Sequence, residues 1–277
     1  MNAPINAPIN APINAPVNAP MKASFTNRPP CTVLRHENRP VGTYVHRPQL
    51  AGTPAPRPFL HPVRTLGGVT VTDQPGVSMA VPDAYGGQRH LGWLLRDPDG
   101  FVEELSWGGA GGRHLLLERR TVAVRPLSAG CWALDFTTAL TNVSGQEIGV
   151  GGAGSGSGGG FFWSAPRRPQ PPRVFSAGGE GEAAVDGRCA DWVALAAEDW
   201  TLVFAGATGD TRSAPWYVRT GEHPGVGSAL DTRRRPLTIA PADTVTRRVV
   251  TAVVDGCLGR DEAARIAGQL SDKGAAV

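Results

Sequence analysis

Apolar and polar residues alternate along much of this chain, and a period of two predicts β-strands with one buried face. Trp132, Leu134, Phe136 and Leu140 share one parity, whereas Asp135 has the other. Similar alternation occurs in residues 114–125, 191–195, 200–205 and 244–254. These runs predict half-buried strands of antiparallel sheets.

Turn signals separate the predicted strands at short intervals. The sequence Asp97-Pro98-Asp99-Gly100 combines the proline and the glycine that tight reversals favour. The chain contains 36 glycines and 25 prolines, which interrupt helices more than they interrupt short strands. We therefore predict a mainly β, antiparallel protein, either a β-sandwich or a barrel.

One helix is predicted near the C-terminus. Asp261 can cap its start, and Ala263, Ile266, Ala267 and Leu270 have the spacing of one helix face. We expect this helix to pack against a sheet.

The first twenty residues repeat the tetrapeptide Asn-Ala-Pro-Ile and its variants. Proline at every fourth position prevents a helix, so the repeat predicts an extended, disordered tail. The predicted organisation is a tail over residues 1–24, a β-sandwich domain over 25–260, and a C-terminal helix and tail over 261–277. The N-terminus does not resemble a secretory signal, and no run approaches the roughly 18 apolar residues of a membrane helix.

Charge and cysteine content narrow the predicted partners and location. The net charge is +3, and the arginine pairs are scattered without interleaved aromatic residues, which argues against nucleic-acid binding. The four cysteines form no Cys-x-x-Cys pair, so Cys131 and Cys257 are predicted to be buried free thiols. A cytoplasmic location is expected. The glycine-rich segment 149–160 ends in aromatic residues and lacks the Gly-Lys-Ser/Thr ending of a phosphate-binding loop.

Several short blocks occur in an order that resembles a known bacterial family. They are PFLHPVRTLGG (58–68), GVSMAVPD (76–83), QRHLGW (88–93), WALDF (132–136), GGFFWSAP (159–166), PWYVR (215–219) and HPGVG (223–227). Together they are similar to the PmoA-like family, which carries a methane oxygenase label.

The resemblance implies a two-sheet sandwich like the galactose-mutarotase-like supersandwich folds, and it implies an association with sugar catabolism. It does not imply methane chemistry, because the methane monooxygenase subunit of that name is an integral membrane protein. Family members also carry a histidine-rich cluster and a further segment, which this chain lacks after Asp73 and after Asp83. If the missing histidines carry the chemistry, this copy is impaired or inactive.

Four residues are candidates for acid–base chemistry: His61, Arg64, His90 and Glu104. His61 and Arg64 lie in the first resembling block, where a histidine can exchange protons near neutral pH and an arginine can bind hydroxyls or a carboxylate. Pro62 argues against a regular strand there. His90 needs a carboxylate partner for sugar-ring chemistry. The alternation leaves open whether Glu103 or Glu104 faces it, and Glu104 is taken as the candidate.

Four further residues are candidates for ligand binding: Trp163, Trp216, His223 and Asp73. Tryptophan rings suit the C–H faces of sugars, but they are also common in sandwich cores. No histidine pair has metal-ligand spacing, and neither a metal nor a cofactor is predicted.

Three functions stay open at this point. The first is a carbohydrate-active enzyme such as an isomerase, a mutarotase-like enzyme or a hydrolase, with a shallow pocket on one sheet. The second is a non-catalytic sugar-binding or interaction module, and the third is an oxygenase, as the family label states. The expected partner is a small carbohydrate, with no nucleic acid and no membrane, and the sequence does not predict an oligomeric state.

Overall fold

The computed structural model describes residues 31–48, 57–80, 87–109, 112–128, 130–151, 159–231 and 236–271. The predicted tail and most of the glycine-rich segment 149–160 lie outside these residues. No helix within the described ranges is long and apolar enough to cross a membrane.

Seven strands form the first sheet. In spatial order they are β1 (Cys31–His36), β2 (Arg39–Val45), β3 (Phe59–Val63), β4 (Val77–Ala80), β10 (Gly160–Ser164), β15 (Gly225–Ala229) and β14 (Trp216–Arg219). All neighbouring strands pair antiparallel.

Eight strands form the second sheet, also antiparallel. In spatial order they are β11 (Arg173–Ser176), β12 (Trp192–Ala196), β13 (Trp200–Gly206), β17 (Thr244–Asp255), β8 (Cys131–Asn142), β7 (His114–Ser128), β6 (Gly100–Gly108) and β5 (Gln88–Asp97). A separate pair consists of β9 (Ile148–Val150) and β16 (Leu237–Ile239). The mainly β, antiparallel fold class is confirmed, and β5 and β6 are joined by the turn at Asp97–Gly100.

The two sheets enclose a continuous apolar core. Phe136 on the eight-stranded sheet contacts Phe161 on the seven-stranded sheet, with ring centroids 5.5 Å apart. Phe161 also contacts Phe204, so the aromatic contacts cross between the layers. The alternation in β8 follows this arrangement, because Trp132, Leu134 and Phe136 all join the core.

The C-terminal helix is confirmed as α3 (Arg260–Ser271). Ala263, Ala267 and Leu270 pack on the outer face of the eight-stranded sheet and form a second apolar core with residues of β13 and β17. Two short helices that the sequence analysis did not predict, α1 (Glu182–Val185) and α2 (Gly209–Ser213), lie in connections.

Of two local expectations, the one about Pro62 is confirmed and the one about Cys257 is wrong. Pro62 lies inside β3, but the strand is irregular there: the pairing with β2 shifts between Gly42 and Tyr44, and the pairing with β4 extends only to Leu60. All four cysteines are free and Cys131 is buried as expected, but Cys257 is exposed because it follows the end of β17.

Candidate functional site

A large open concavity lies on the outer face of the eight-stranded sheet, beside the half that α3 covers. This groove has a volume of about 1050 Å³, and its floor consists of outward-facing residues of β6, β7, β8 and β17. One row across the floor runs through Glu104, Arg119, Ala139 and Thr246, which are paired neighbours on adjacent strands. The floor of the groove is therefore formed by the alternate, outward-facing residues of four strands.

Asn142, at the end of β8, holds one wall of the groove. Its side-chain amide donates to the carbonyls of Gln146 and Ile239, at 2.8 Å each. Its side-chain oxygen accepts hydrogen bonds from the backbone and hydroxyl of Ser144. Two loops that come together from distant parts of the sequence are thus fastened by one buried side chain.

The groove presents hydroxyls and two opposed charges. Glu104 and Arg119 face each other across β6 and β7, both are exposed, and neither has a hydrogen bond or ion pair among the described residues. The hydroxyl-bearing residues of the lining are Thr121, Thr137, Thr141, Thr244 and Thr246. The lining residues include no histidine and no aromatic side chain.

His90 pairs with Glu103 and not with the predicted Glu104. His90 Nδ1 lies 2.7 Å from Glu103 Oε2, and both side chains are buried between the sheets. Glu104 has the opposite parity and points into the groove. Irregular pairing of β5 with β6 beside His90 sets the position of the imidazole, and such irregularities cannot be read from alternation alone.

Glu103 belongs to a buried polar network centred on Arg120. Tyr44 donates to Glu103, and Arg120 Nη1 donates to the Tyr44 hydroxyl at 2.9 Å. Arg120 also donates to Glu118 Oε1 at 2.8 Å and to Gln88 Oε1 at 2.8 Å. Burial lowers the pKa of Arg120, but Glu118, Tyr44 and Glu103 outweigh it and the net pKa is raised. Arg120 and Glu118 are 0% and 1% exposed, so the network is closed to substrate.

His46 lies at the outer end of this network. Its ring centroid is 4.8 Å from that of His90 and 5.1 Å from that of Trp93. Burial, followed by the charges of His90, Arg47 and Arg96, lowers the pKa of His46 from 6.5 to about 4.

His61, Arg64 and Asp73 come together at one end of the seven-stranded sheet. His61 Nδ1 lies 3.0 Å from Thr72 Oγ1. Burial lowers the pKa of His61, Asp73 raises it, and Arg64 lowers it further. His61 is half-buried and Asp73 is exposed, so this cluster is reachable from solvent.

His223 lies at the same end of the sheet. The Asp73 amide donates to the Ser164 carbonyl, and the next residue, Ala165, donates to the Pro224 carbonyl. These bonds bring the turn that contains His223 toward Asp73, but no contact joins the two side chains within the described residues.

Trp163 and Trp216 are core residues, so neither ring can act as the predicted stacking platform. Trp163 is 0% and Trp216 is 1% exposed, and their indole N–H groups donate to the carbonyls of Val71 and Ala190. The outward aromatic pair next to them is Phe162 and Tyr217, with centroids 6.1 Å apart. Alternation places Phe162 on the opposite face from Trp163. This alternation is the sequence signal that could have identified Phe162 as the outward-facing aromatic residue.

No group of three His, Cys, Asp or Glu side chains within the described ranges is placed to hold a metal ion.

The model of a family of unknown function, DUF6807, matches residues 31–82 and 76–268. The chain belongs to this family. The two matched ranges of the chain overlap at residues 76–82. No curated protein matches the chain.

Among solved structures, the DUF6807 chain is similar to two GH36 alpha-galactosidases from Geobacillus stearothermophilus. AgaA has 16% identity and a TM-score of 0.27, with 70% of this chain and 30% of AgaA covered. AgaB has 15% identity and a TM-score of 0.25, with 70% and 29% covered. The chain thus spans about a third or less of these enzymes, and values this low say nothing about its activity.

Proposed function

We propose that this protein binds a small carbohydrate in the groove of its eight-stranded sheet and does not catalyse a reaction of the carbohydrate there. The observation that carries the proposal is the unpaired Glu104–Arg119 couple in a groove that five threonines also line. A carboxylate accepts and a guanidinium donates hydrogen bonds, whereas a hydroxyl does both. A polyhydroxylated ligand offers the complementary donors and acceptors.

The size of the groove suits this ligand class. Small-molecule sites occupy about 300–1,000 Å³, and the groove volume of about 1050 Å³ is at the upper end. Exposed aliphatic groups of Leu117 and Val143 add apolar contacts for the C–H surfaces of a sugar.

Binding is favoured over catalysis because Glu104 has no accessible partner for proton transfer in the groove. The other carboxylate among the lining residues, Glu118, is 1% exposed, and its oxygens accept hydrogen bonds from Trp107, Arg120 and Thr138. Glycoside hydrolysis ordinarily requires two carboxylates, and sugar-ring opening requires an acid opposite a base. Glu104 has no histidine opposite it among the lining residues, and the His90–Glu103 pair is buried on the other side of the sheet.

A thermal-shift screen of the full chain against monosaccharides, their 3-keto and lactone forms, and short oligosaccharides tests the proposal. A ligand that binds only the folded state raises the melting temperature by mass action. For a ligand found in this way, we expect Glu104→Gln and Arg119→Met each to weaken binding by roughly 10- to 100-fold, as for a lost charged hydrogen bond of about 1.5–3 kcal/mol.

Glu222→Gln is the matched control, because Glu222 is exposed and lies on the other sheet, in the turn before β15. It should leave the affinity unchanged. Equal affinity of the wild type, Glu104→Gln and Arg119→Met for the ligand would show that the ligand does not bind in the groove.

A second candidate function is sugar acid–base chemistry at the His61 cluster, which the PmoA-like resemblance favours. Burial lowers the pKa of His61, which favours the unprotonated imidazole that a base requires, and Arg64 and Asp73 are placed to bind hydroxyls. Isomerisation of aldoses or of 3-keto sugars, followed by NMR, tests this function. His61→Gln should abolish turnover, and His114→Gln, an exposed position on the other sheet, should retain it. Turnover by His61→Gln would exclude His61 as the base. The oxygenase function has no comparable support, since it requires a metal centre and no cluster of metal-ligating side chains occurs in the part of the chain that the structure describes.

A further inference from the structure

Arg247 is a buried arginine without a carboxylate partner. It lies on the inner face of β17 and is 6% exposed. Its Nη2 donates to the Leu230 carbonyl at 3.1 Å, whereas its Nε and Nη1 atoms are buried and have no partner in the described part of the chain. Arg120, two strands away on the same face, has a partner at every guanidinium nitrogen.

The guanidinium of Arg247 lines a small cavity between the sheets. The cavity has a volume of about 10 Å³, roughly the space of one water molecule. Phosphate, sulfate or a carboxylate group is too large for this space. A water molecule or a single-atom anion is the occupant that the volume allows.

The free hydrogen-bond donors at this cavity come from Arg247 and Ser228. Thr138 and Thr211 line it, but the Thr138 hydroxyl donates to Glu118 and the Thr211 hydroxyl donates to backbone carbonyls. The Ser228 hydroxyl also lines the cavity and has no hydrogen bond among the described residues. Arg247 and Ser228 therefore present free hydrogen-bond donors to the same cavity. Donors that converge on one point favour the binding of an anion.

The charge of Arg247 also needs compensation. Burial lowers its pKa, Asp210 raises it, and Arg247 forms no ion pair in the described ranges. A desolvated charge without a partner destabilises a folded protein, so a counter-charge in the cavity would stabilise it.

We propose that the cavity beside Arg247 and Ser228 binds a monovalent halide ion, chloride under physiological conditions. The site is independent of the carbohydrate groove, which lies on the opposite face of the sheet. Chloride acts here as a structural counter-ion that stabilises the packing of β17 against β15.

Urea unfolding of the full chain in chloride and in methanesulfonate, at equal ionic strength, tests the site. Both anions are monovalent, but methanesulfonate is polyatomic and too large for the cavity. We expect the unfolding midpoint to rise with the logarithm of chloride concentration, as mass action requires, and to stay constant in methanesulfonate. Arg247→Met should lose the chloride response.

Arg248→Met is the matched control. Arg248 is the next residue on β17, faces outward and pairs with Asp135, so this variant should be less stable but should keep the chloride response. If Arg247→Met does not fold, Ser228→Val removes the second donor and should weaken the response.

Crystals soaked in bromide give a direct measurement, with an anomalous peak expected beside the Arg247 guanidinium. Equal midpoints of the wild-type protein in the two salts, or a map without this peak, would show that the cavity holds only water and would overturn the proposal. A chloride response that persists in Arg247→Met would do the same.

Discussion

Arg119 and Arg120 are adjacent in the sequence, but they occupy opposite faces of β7. Arg119 is exposed in the groove, whereas Arg120 is 0% exposed and donates to Glu118, Tyr44 and Gln88. A single step along a strand therefore separates a ligand-binding candidate from a structural ion network.

Replacing Arg120 by methionine should destabilise the protein by about 3–5 kcal/mol, because the buried Glu103 and Glu118 carboxylates lose their counter-charge. The free energy of unfolding, obtained from urea denaturation, measures this loss. Arg119→Met is the control and should change stability by no more than about 0.5 kcal/mol, as for other surface substitutions. Similar losses in the two variants would mean that the network does not stabilise the fold.

At the scale of elements, Asn142 joins the end of β8 to the loops on either side of it. The backbone of Asn142 also pairs with this wall, since its amide donates to Asp243 and its carbonyl accepts from Ala242. The side chain thus fixes the shape of the groove without facing a ligand.

Asn142→Ala should destabilise the protein by about 1–3 kcal/mol, because the carbonyls of Gln146 and the buried Ile239 lose their donor. It should also raise amide hydrogen exchange in residues 143–147 and 239–243, while exchange in β13 stays slow. Thr141→Ala, one position earlier and outward-facing, should leave exchange in both loops unchanged. A uniform rise across the whole sheet would instead indicate global destabilisation.

The helix α3 covers the other half of the outer face, where Leu270 is 2% exposed in the second core. Leu270→Ala should cost about 2–5 kcal/mol, as expected for a buried leucine truncated in a packed core. Arg265→Ala on the exposed side of α3 should have little effect. If Leu270→Ala unfolds at the wild-type urea concentration, α3 does not contribute to the cooperative unit.

At the scale of the whole molecule, alternation is sufficient to predict antiparallel strands, and the helical spacing of apolar residues is sufficient to predict α3, because each element has its own period. Alternation does not show which parity faces the second sheet when each parity carries a carboxylate, as at Glu103 and Glu104. Tyr44, which lies 59 residues before Glu103 and on the other sheet, donates a hydrogen bond to Glu103 and so identifies it as the inward-facing carboxylate. The groove is similarly non-local, since Thr244 and Thr246 reach it from a strand more than a hundred residues after β8 begins.

The free energy of unfolding should depend on pH through the titration of His46, which packs where β2 meets β5. Its pKa in the folded protein is about 4, below the ordinary value of 6.5 that applies in the unfolded chain. Above pH 6.5 both states are neutral at this residue, and its contribution is fully present. As the pH falls from 6.5 toward 4, the unfolded chain binds a proton that the folded protein does not bind, so the free energy of unfolding decreases.

His46→Phe keeps an aromatic ring against Trp93 and removes the titration. The free energy of unfolding of this variant, measured by urea denaturation at several pH values, should fall less steeply than that of wild type between pH 6.5 and 4. The two proteins should differ by a constant amount above pH 6.5, because neither state then exchanges a proton at position 46. Parallel curves across the whole range would show that His46 is protonated equally in the folded and unfolded states, and that burial at the edge of the network does not control its charge.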